Sequence, residues 1–579
     1  MIAKNKVSTY SLYSSLLAFI LFAVYILYIN QEVLYTAHDR SEFLFGAQFF
    51  HTLLSKPFGL IQYAGAWLTQ LFYNPAVGSA VLGTIWVLIF LIGVKAFHLS
   101  GSACAQMLLP IAFLLTSIVD LGYWIYIFTI RGYFFSQSLG YLLMLLLLWA
   151  ARCTPRKYHL AWYLIAFGLF PILGWFAILF ALCLILSEKP TWRELVGFII
   201  LLVTASIWRT LLYSHMKLDD VILAGFPTFV TPSNKSEVLS LPFWLLGVLS
   251  IIITLFARYT NKWFVPVLSA IAGIAFSCSL AFQDKNYINE MRMVRHADSG
   301  NWHEVLDIAE ENSKPTLSMV MLKNVALMHE GGLLERSFKL GNEGFPIYNP
   351  DSLNVSFLEI AAPVTYYNYG LINEGFRLSF ECAVQSGFTP FYLRMLSRCA
   401  VANEETNLAE RYISQLQHNL YYEDWQPEPV PECVKELKQS YNDELTGVEN
   451  SSSYLVSSIS LWHEAESRLS SEQALFYSML RCDSRRFWDS VRKYIKYHLD
   501  EELPTHVHEA YILFYDKAPE EKRMRLPVNQ LIYERYKKFW ETLENYAMNG
   551  LSRDNITEKM RGEFGDTYWY YNILGRKIN

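Results

Sequence analysis

Three ionisable residues, Asp39, Arg40 and Glu42 in the stretch HDRSE, follow directly on the first long apolar segment of a 579-residue chain. Their types suit one chemistry in particular. A carboxylate can take a proton from an acceptor hydroxyl. A guanidinium can grip a phosphate through paired, charge-assisted hydrogen bonds. More residues of these kinds, Asp120, Arg131, Arg209, His215, Lys217, Asp219 and Asp220, fall in segments predicted to face the same side. The stretch also has a plainer reading. Asp39 would cap a surface helix with Glu42 at the capping-box position, and Arg40 would meet a lipid phosphate.

The elements that must hold these residues can be read from composition. The chain is 53% hydrophobic and 17% charged, against about 25% charged in an average soluble protein. Residues 1–283 carry 16 Lys and Arg against 9 Asp and Glu, whereas residues 284–579 carry 32 against 44. This is the pattern of a membrane half joined to an acidic soluble half.

Apolar runs predict crossings near 11–29, 78–97, 104–119, 134–150, 159–170, 172–187, 194–213, 241–257 and 263–283, several of them near the roughly 20 residues that span a bilayer. The run 160–187 is interrupted at LFPILGW and reads either as one tilted helix or as a hairpin of two short ones. Positive charges favour the hairpin. Lys4, Lys6, Lys95, Arg152, Arg156, Lys157, Lys189, Arg193, Arg258 and Lys262 all fall on one side only with nine crossings. The N-terminus is then cytoplasmic and the tail outside. The first span lacks a small-residue cleavage site and reads as an anchor rather than a signal peptide.

The first outer loop, 30–77, contains KPFGLIQYAGAWLTQLFY. Its apolar residues recur at helical spacing, which predicts an amphipathic helix lying in the interface plane. Residues 43–54 read as a second, shorter one. Asn74-Pro75 ends the stretch.

The tail divides into helical repeats over 284–425 and a second helical block over 426–579. The stretches at 300–311, 331–343, 370–383 and 403–416 each begin at a turn residue and continue as a helix. Their spacing is near the tetratricopeptide period of about 34 residues. WQPEPVPEC and then residues 448–453 read as an interruption.

No phosphate-loop, dinucleotide, nucleophile-elbow or zinc-protease motif is present. No basic aromatic patch suggests nucleic acid. His506 and His508 read as surface residues rather than metal ligands, so no cofactor is expected and no motif supports a divalent metal. Cys104, Cys153, Cys183 and Cys278 read as packing residues. Cys382 and Cys399, in the outer tail, are candidates for a disulfide.

One span, a long outer loop opening on acidic residues with two in-plane helices, many further spans and a helical-repeat tail: this order resembles the GT-C superfamily of integral-membrane glycosyltransferases. The resemblance covers residues 1–283, and its motif is HDRSE; the oligosaccharyltransferase motif W-W-D-Y-G is missing. It implies a lipid-phosphate sugar donor and an essential first-loop carboxylate. On that reading Asp39 is the base or orients the acceptor, with Glu42 in support. His38, Arg40, Arg131 and Arg209 would bind substrate, the last two at the carrier phosphate. The chain is also similar to Bacteroidota inner-membrane proteins, which implies no activity. The expected fold is all-α, a nine-span membrane domain followed by a tetratricopeptide-like solenoid. The expected function is periplasmic glycosyl transfer. The alternative is a non-catalytic anchor in contact with membrane lipids, whose tail docks protein partners in envelope assembly or export. A transporter fits less well, because the spans carry almost no charge.

Overall fold

The computed structural model describes residues 2–127, 130–187, 191–227, 236–256, 259–260, 262–312, 314–342, 360–440, 467–515 and 523–575. Lys189, Arg258 and the interruption at 448–453 lie outside the described residues, as do the side chains of Lys4 and Lys6.

The fold is all-α. Among the described residues the strand content is one two-residue parallel bridge, in which Ser100 pairs with Tyr259 and Gly101 with Thr260. Among the described residues six helices are long and apolar enough to cross a membrane: Thr9–Ile29, Pro75–Ala96, Ser102–Val119, Tyr133–Cys153, Trp192–Leu211 and Leu239–Phe256. Three shorter helices, His159–Leu173, Trp175–Leu186 and Phe264–Leu280, occupy the remaining apolar segments. The run 160–187 folds back on itself, and its two helices pack side by side. The break is at Gly174, whose φ of +54° suits glycine. A Cβ at Gly174 would collide with the Ala224 carbonyl, while Trp175 N donates to that same oxygen at 2.8 Å.

The first loop differs from expectation at its start. A helix, Gln31–Asp39, begins just past the end of the first long helix and ends on Asp39. The chain then runs without helix through Glu42 to the short helix Ala47–Leu54, whose N-cap is Gly46. Asp39 is therefore the last residue of one helix and not the cap of the next, and the capping-box reading is corrected. The second amphipathic helix is Gly59–Thr69, continued by a tight turn over Gln70–Tyr73. Asn74 caps the next helix by accepting from Ala76 N at 3.2 Å, with Pro75 at its first position.

Beyond Leu280 the chain enters the tail through Lys285–Asp298 and Trp302–Glu310. Later helices that position the site are Ala362–Asn368, Ile372–Ser386, Pro390–Ala402 and Thr406–Gln417, each packed on its neighbour. The four stretches picked out by sequence share one local device. Gly300, Gly331, Gly370 and Glu404 all take a left-handed φ, of 69°, 72°, 74° and 62°, just before the next helix. The second of these helices is a single turn, Leu333–Arg336.

Candidate functional site

The helix Gln31–Asp39 packs on the Gln70–Tyr73 turn of its own loop, on the following long helix Pro75–Ala96, and on the tail helices Lys285–Asp298 and Pro390–Ala402. The residues singled out in HDRSE therefore sit where the apolar helices meet the tail. His38, Asp39 and Glu42 are 1, 8 and 7% exposed. Burial on this scale requires each charge to find a partner, and each does.

Asp39 faces Arg394, whose Nη2 is 2.8 Å from Oδ1 and 2.9 Å from Oδ2. The same guanidinium grips Asp298, with Nη2 at 2.7 Å and Nε at 2.9 Å from Oδ2. Arg398 Nη1 completes the group at 2.5 Å from Asp298 Oδ1. The result is a buried cluster of two carboxylates and two guanidiniums. Burial pushes the Asp39 carboxyl up, and the Arg394 charge pulls against it. Asp298 is equally buried, but Arg394 and Arg398 together outweigh that and hold it below the usual carboxylate range.

Tyr422 joins this cluster to His38. Its hydroxyl accepts from Arg394 Nη1 at 2.9 Å and lies 3.1 Å from His38 Nε2. The two rings stack at 5.8 Å and 7°. Burial lowers the His38 imidazole to about 3, so the ring is neutral and serves here as a hydrogen-bonding plate.

Two further ion pairs flank the centre. Arg295 holds Glu32 through two parallel bonds, Nε to Oε2 at 2.9 Å and Nη2 to Oε1 at 2.8 Å, the fork geometry that arginine favours. Arg131 holds Glu42, Nε to Oε2 at 2.6 Å, while Phe388 N of the tail donates to Glu42 Oε1 at 3.1 Å. Gly387, with φ of 106°, lets the backbone approach this closely. A Cβ there would come within 2.7 Å of the Glu42 carboxyl. Arg40 is held differently. It donates to the Tyr392 hydroxyl at 2.9 Å and the Ile360 carbonyl at 3.3 Å, and its guanidinium carbon lies 4.0 Å from the centre of the Phe391 ring.

A second fastening lies one turn away. Leu420 N donates to Gln70 Oε1 at 2.9 Å, and Tyr73 stacks on Tyr421 at 4.8 Å and 8°.

The chain belongs to the DUF6057 family. This is a family of unknown function, and its model matches residues 6–575. One family model thus takes in the apolar helices, the junction and the tail. No curated protein and no solved structure matches the chain.

Of the expected site residues, the fold brings His38, Asp39, Arg40, Glu42 and Arg131 to one junction. Arg209 is elsewhere, donating to the Met216 carbonyl at 3.0 Å. His215, Asp219 and Asp220 are exposed. Sequence reasoning missed Arg295, Asp298, Arg394, Arg398 and Tyr422. One signal was available: Arg394 and Arg398 are four apart in FYLRMLSR, a charged stripe on an otherwise apolar helix. Two tail expectations are corrected. Cys382 and Cys399 are both free thiols. His506 is buried, not a surface residue, and its Nδ1 lies 2.9 Å from Glu509 Oε2. Among the described residues no group of three His, Cys, Asp or Glu is placed to hold a metal ion.

Proposed function

We propose that this DUF6057 protein is a multi-pass inner-membrane scaffold whose helical-repeat tail, held on the periplasmic side, docks partners in envelope assembly or export. Nine crossings with a cytoplasmic N-terminus and a tetratricopeptide-like solenoid complete the reading. One observation carries it: Asp39 and Glu42, the carboxylates a glycosyltransferase would use, are buried and already paired with Arg394 and Arg131. A general base must reach the proton it removes and be free to accept it. Here both groups spend that capacity fastening the tail to the first loop. Rigid presentation of a repeat surface suits docking, since ordering costs are met before the partner arrives.

The test has two arms. Purified full-length protein is incubated with a polyprenyl-phosphate sugar and an acceptor glycan, and photo-reactive residues on the exposed tail are activated in cells. The scaffold reading expects no transfer, with discrete adducts to envelope-assembly proteins that disappear when Arg394→Gln loosens the tail. Sugar transfer that is lost in Asp39→Asn, in protein whose tail stays docked, would return the account to the glycosyltransferase reading.

A further inference from the structure

The helix Tyr133–Cys153 starts beside Arg131 at the junction and reaches Arg152 at the opposite end of the bundle, after 21 residues or about 30 Å. Four contacts tie that opposite end together. Arg152 Nη1 donates to the Ala96 carbonyl at 2.7 Å. Ser100 and Gly101 pair with Tyr259 and Thr260. Ser11 Oγ donates to the Trp263 carbonyl at 2.5 Å. Arg156 Nε donates to Glu194 Oε1 at 3.3 Å. Joined by the few residues between them, these contacts run from Ser11 to Glu194 and make one face.

The charges of this face are almost all positive. Its segments carry Lys95, Arg152, Arg156, Lys157, Arg193 and Lys262 against two carboxylates, Glu188 and Glu194. Glu188 lies outside the described residues. Glu194 is buried and taken up by Arg156 and by the Thr191 backbone N–H, which donates to Oε2 at 3.0 Å. Among the described residues Lys95, Lys157 and Arg193 have no ion pair. Each lies over an aromatic ring instead, Lys95 at 4.9 Å from Trp149, Lys157 at 4.9 Å from Tyr158 and Arg193 at 5.5 Å from Trp192. Lys262 lies 5.7 Å from the Phe264 ring.

Tyr158, Trp192 and Trp263 are more than half exposed. Such rings, set beside lysine and arginine at the ends of apolar helices, suit the headgroup layer, where an amphipathic ring and a charged side chain both find partners. The exposed apolar surface continues directly from this rim: Leu195, Phe198, Ile199 and Leu202 follow Arg193 on the same helix and all face outward. A cationic, aromatic rim on a band of exposed apolar side chains fits a lipid leaflet. A soluble acidic partner would meet the rim alone. The unbalanced positive charge selects a leaflet that carries negative charge.

We propose that this face docks on an anionic lipid leaflet, with Lys95, Lys157, Arg193 and Lys262 at the headgroup phosphates and Tyr158, Trp192 and Trp263 at headgroup depth. The inference rests on the membrane part of the scaffold reading and not on partner docking by the tail.

The experiment places the full chain in phosphatidylcholine nanodiscs and follows its unfolding temperature as phosphatidylglycerol replaces part of the lipid. A rise is expected in wild type, and it should shrink at high salt. Lys157→Gln with Arg193→Gln should need more phosphatidylglycerol for the same rise, by about fivefold for each cation removed. Lys157→Arg with Arg193→Lys keeps both charges and should match wild type. So should Lys56→Gln with Lys217→Gln, which removes two exposed cations from the other end of the bundle. If the first pair does not fold, the salt dependence of wild type decides. No rise in wild type, a rise that salt leaves unchanged, or an equal loss in the Lys56 and Lys217 pair overturns the proposal. A rise with soluble tripolyphosphate but not with phosphatidylglycerol assigns the face to a soluble polyanion and overturns it too. Failure to enter phosphatidylcholine discs would sink the membrane reading itself, which keeps the two failures apart.

Discussion

Two regions of this molecule use the same residue types to opposite effect. At the junction Arg394, Asp298 and Asp39 are about nine-tenths buried and link segments more than 250 positions apart. At the far end of the tail Arg535 pairs with Asp566 and Lys538 with Glu563, but these side chains are 40 to 64% exposed. There the helices are joined instead by an aromatic core in which Phe338 meets Tyr568 and Tyr571, and Phe539 meets Phe564 and Trp569. An exposed pair gains little, because water screens it and two long side chains lose freedom. A buried pair is costly to break and tolerates few alternative arrangements. The far end is glued by area, whereas the junction is keyed by charge.

The widest separation between the two regions is expected from Arg394→Met. It strands Asp39 in a dry setting, leaves Asp298 with Arg398 alone, and should destabilise tail docking by about 3–5 kcal/mol, read as early proteolytic release of the tail. A loss below about 1 kcal/mol would remove the contrast. Gly387→Val comes next, because the side chain must enter a left-handed backbone region and push on Glu42. A loss of about 1–3 kcal/mol is expected, with the apolar helices unaffected.

Acidity sharpens the comparison further. Glu290 is fully buried and accepts from Tyr123 at 2.5 Å, joining the tail to the segment after Ser102–Val119. Burial raises its carboxyl from 4.5 to about 7, against the bonds from Thr316 and Tyr123. A raised folded value means the protonated form is favoured in the docked state. Its contribution is full below about pH 4.5 and is lost as pH rises through 7. Stability of docking should therefore fall between pH 5 and 8, and Glu290→Gln should flatten that slope. An unchanged slope would exclude Glu290 as its source. The smallest effect belongs to Arg535→Ala, expected to shift stability by less than about 1 kcal/mol; a larger loss would mean that the exposed pairs matter as the buried ones do.

How much of this was legible in the sequence depends on the range of the interaction. Apolar periodicity is local, and each of the nine apolar segments became a helix, with the break at Gly174 announced by LFPILGW. The two helices of the first loop, Ala47–Leu54 and Gly59–Thr69, were likewise readable from spacing. HDRSE stood out as charge beside an apolar segment, but what its residues touch was not legible. Arg295, Arg394 and Tyr422 lie hundreds of residues away, and nothing local ties Asp39 to any of them. The capping reading failed for a local reason: the helix Gln31–Asp39 absorbed the residue taken as a cap. The disulfide expectation rested on compartment and spacing, neither of which fixes where two side chains point: Cys399 is wholly buried and Cys382 only half so.

The central claim is that Asp39 fastens the tail by pairing with Arg394. A double-mutant cycle on the full chain tests it most directly, comparing Asp39→Asn, Arg394→Gln and the two together, with docking stability measured by native-state proteolysis. The account predicts that the two losses do not add, with a coupling of about 1–3 kcal/mol between them. Losses that add to within about 0.5 kcal/mol would show that the two residues act independently, and the charge-keyed junction would be contradicted.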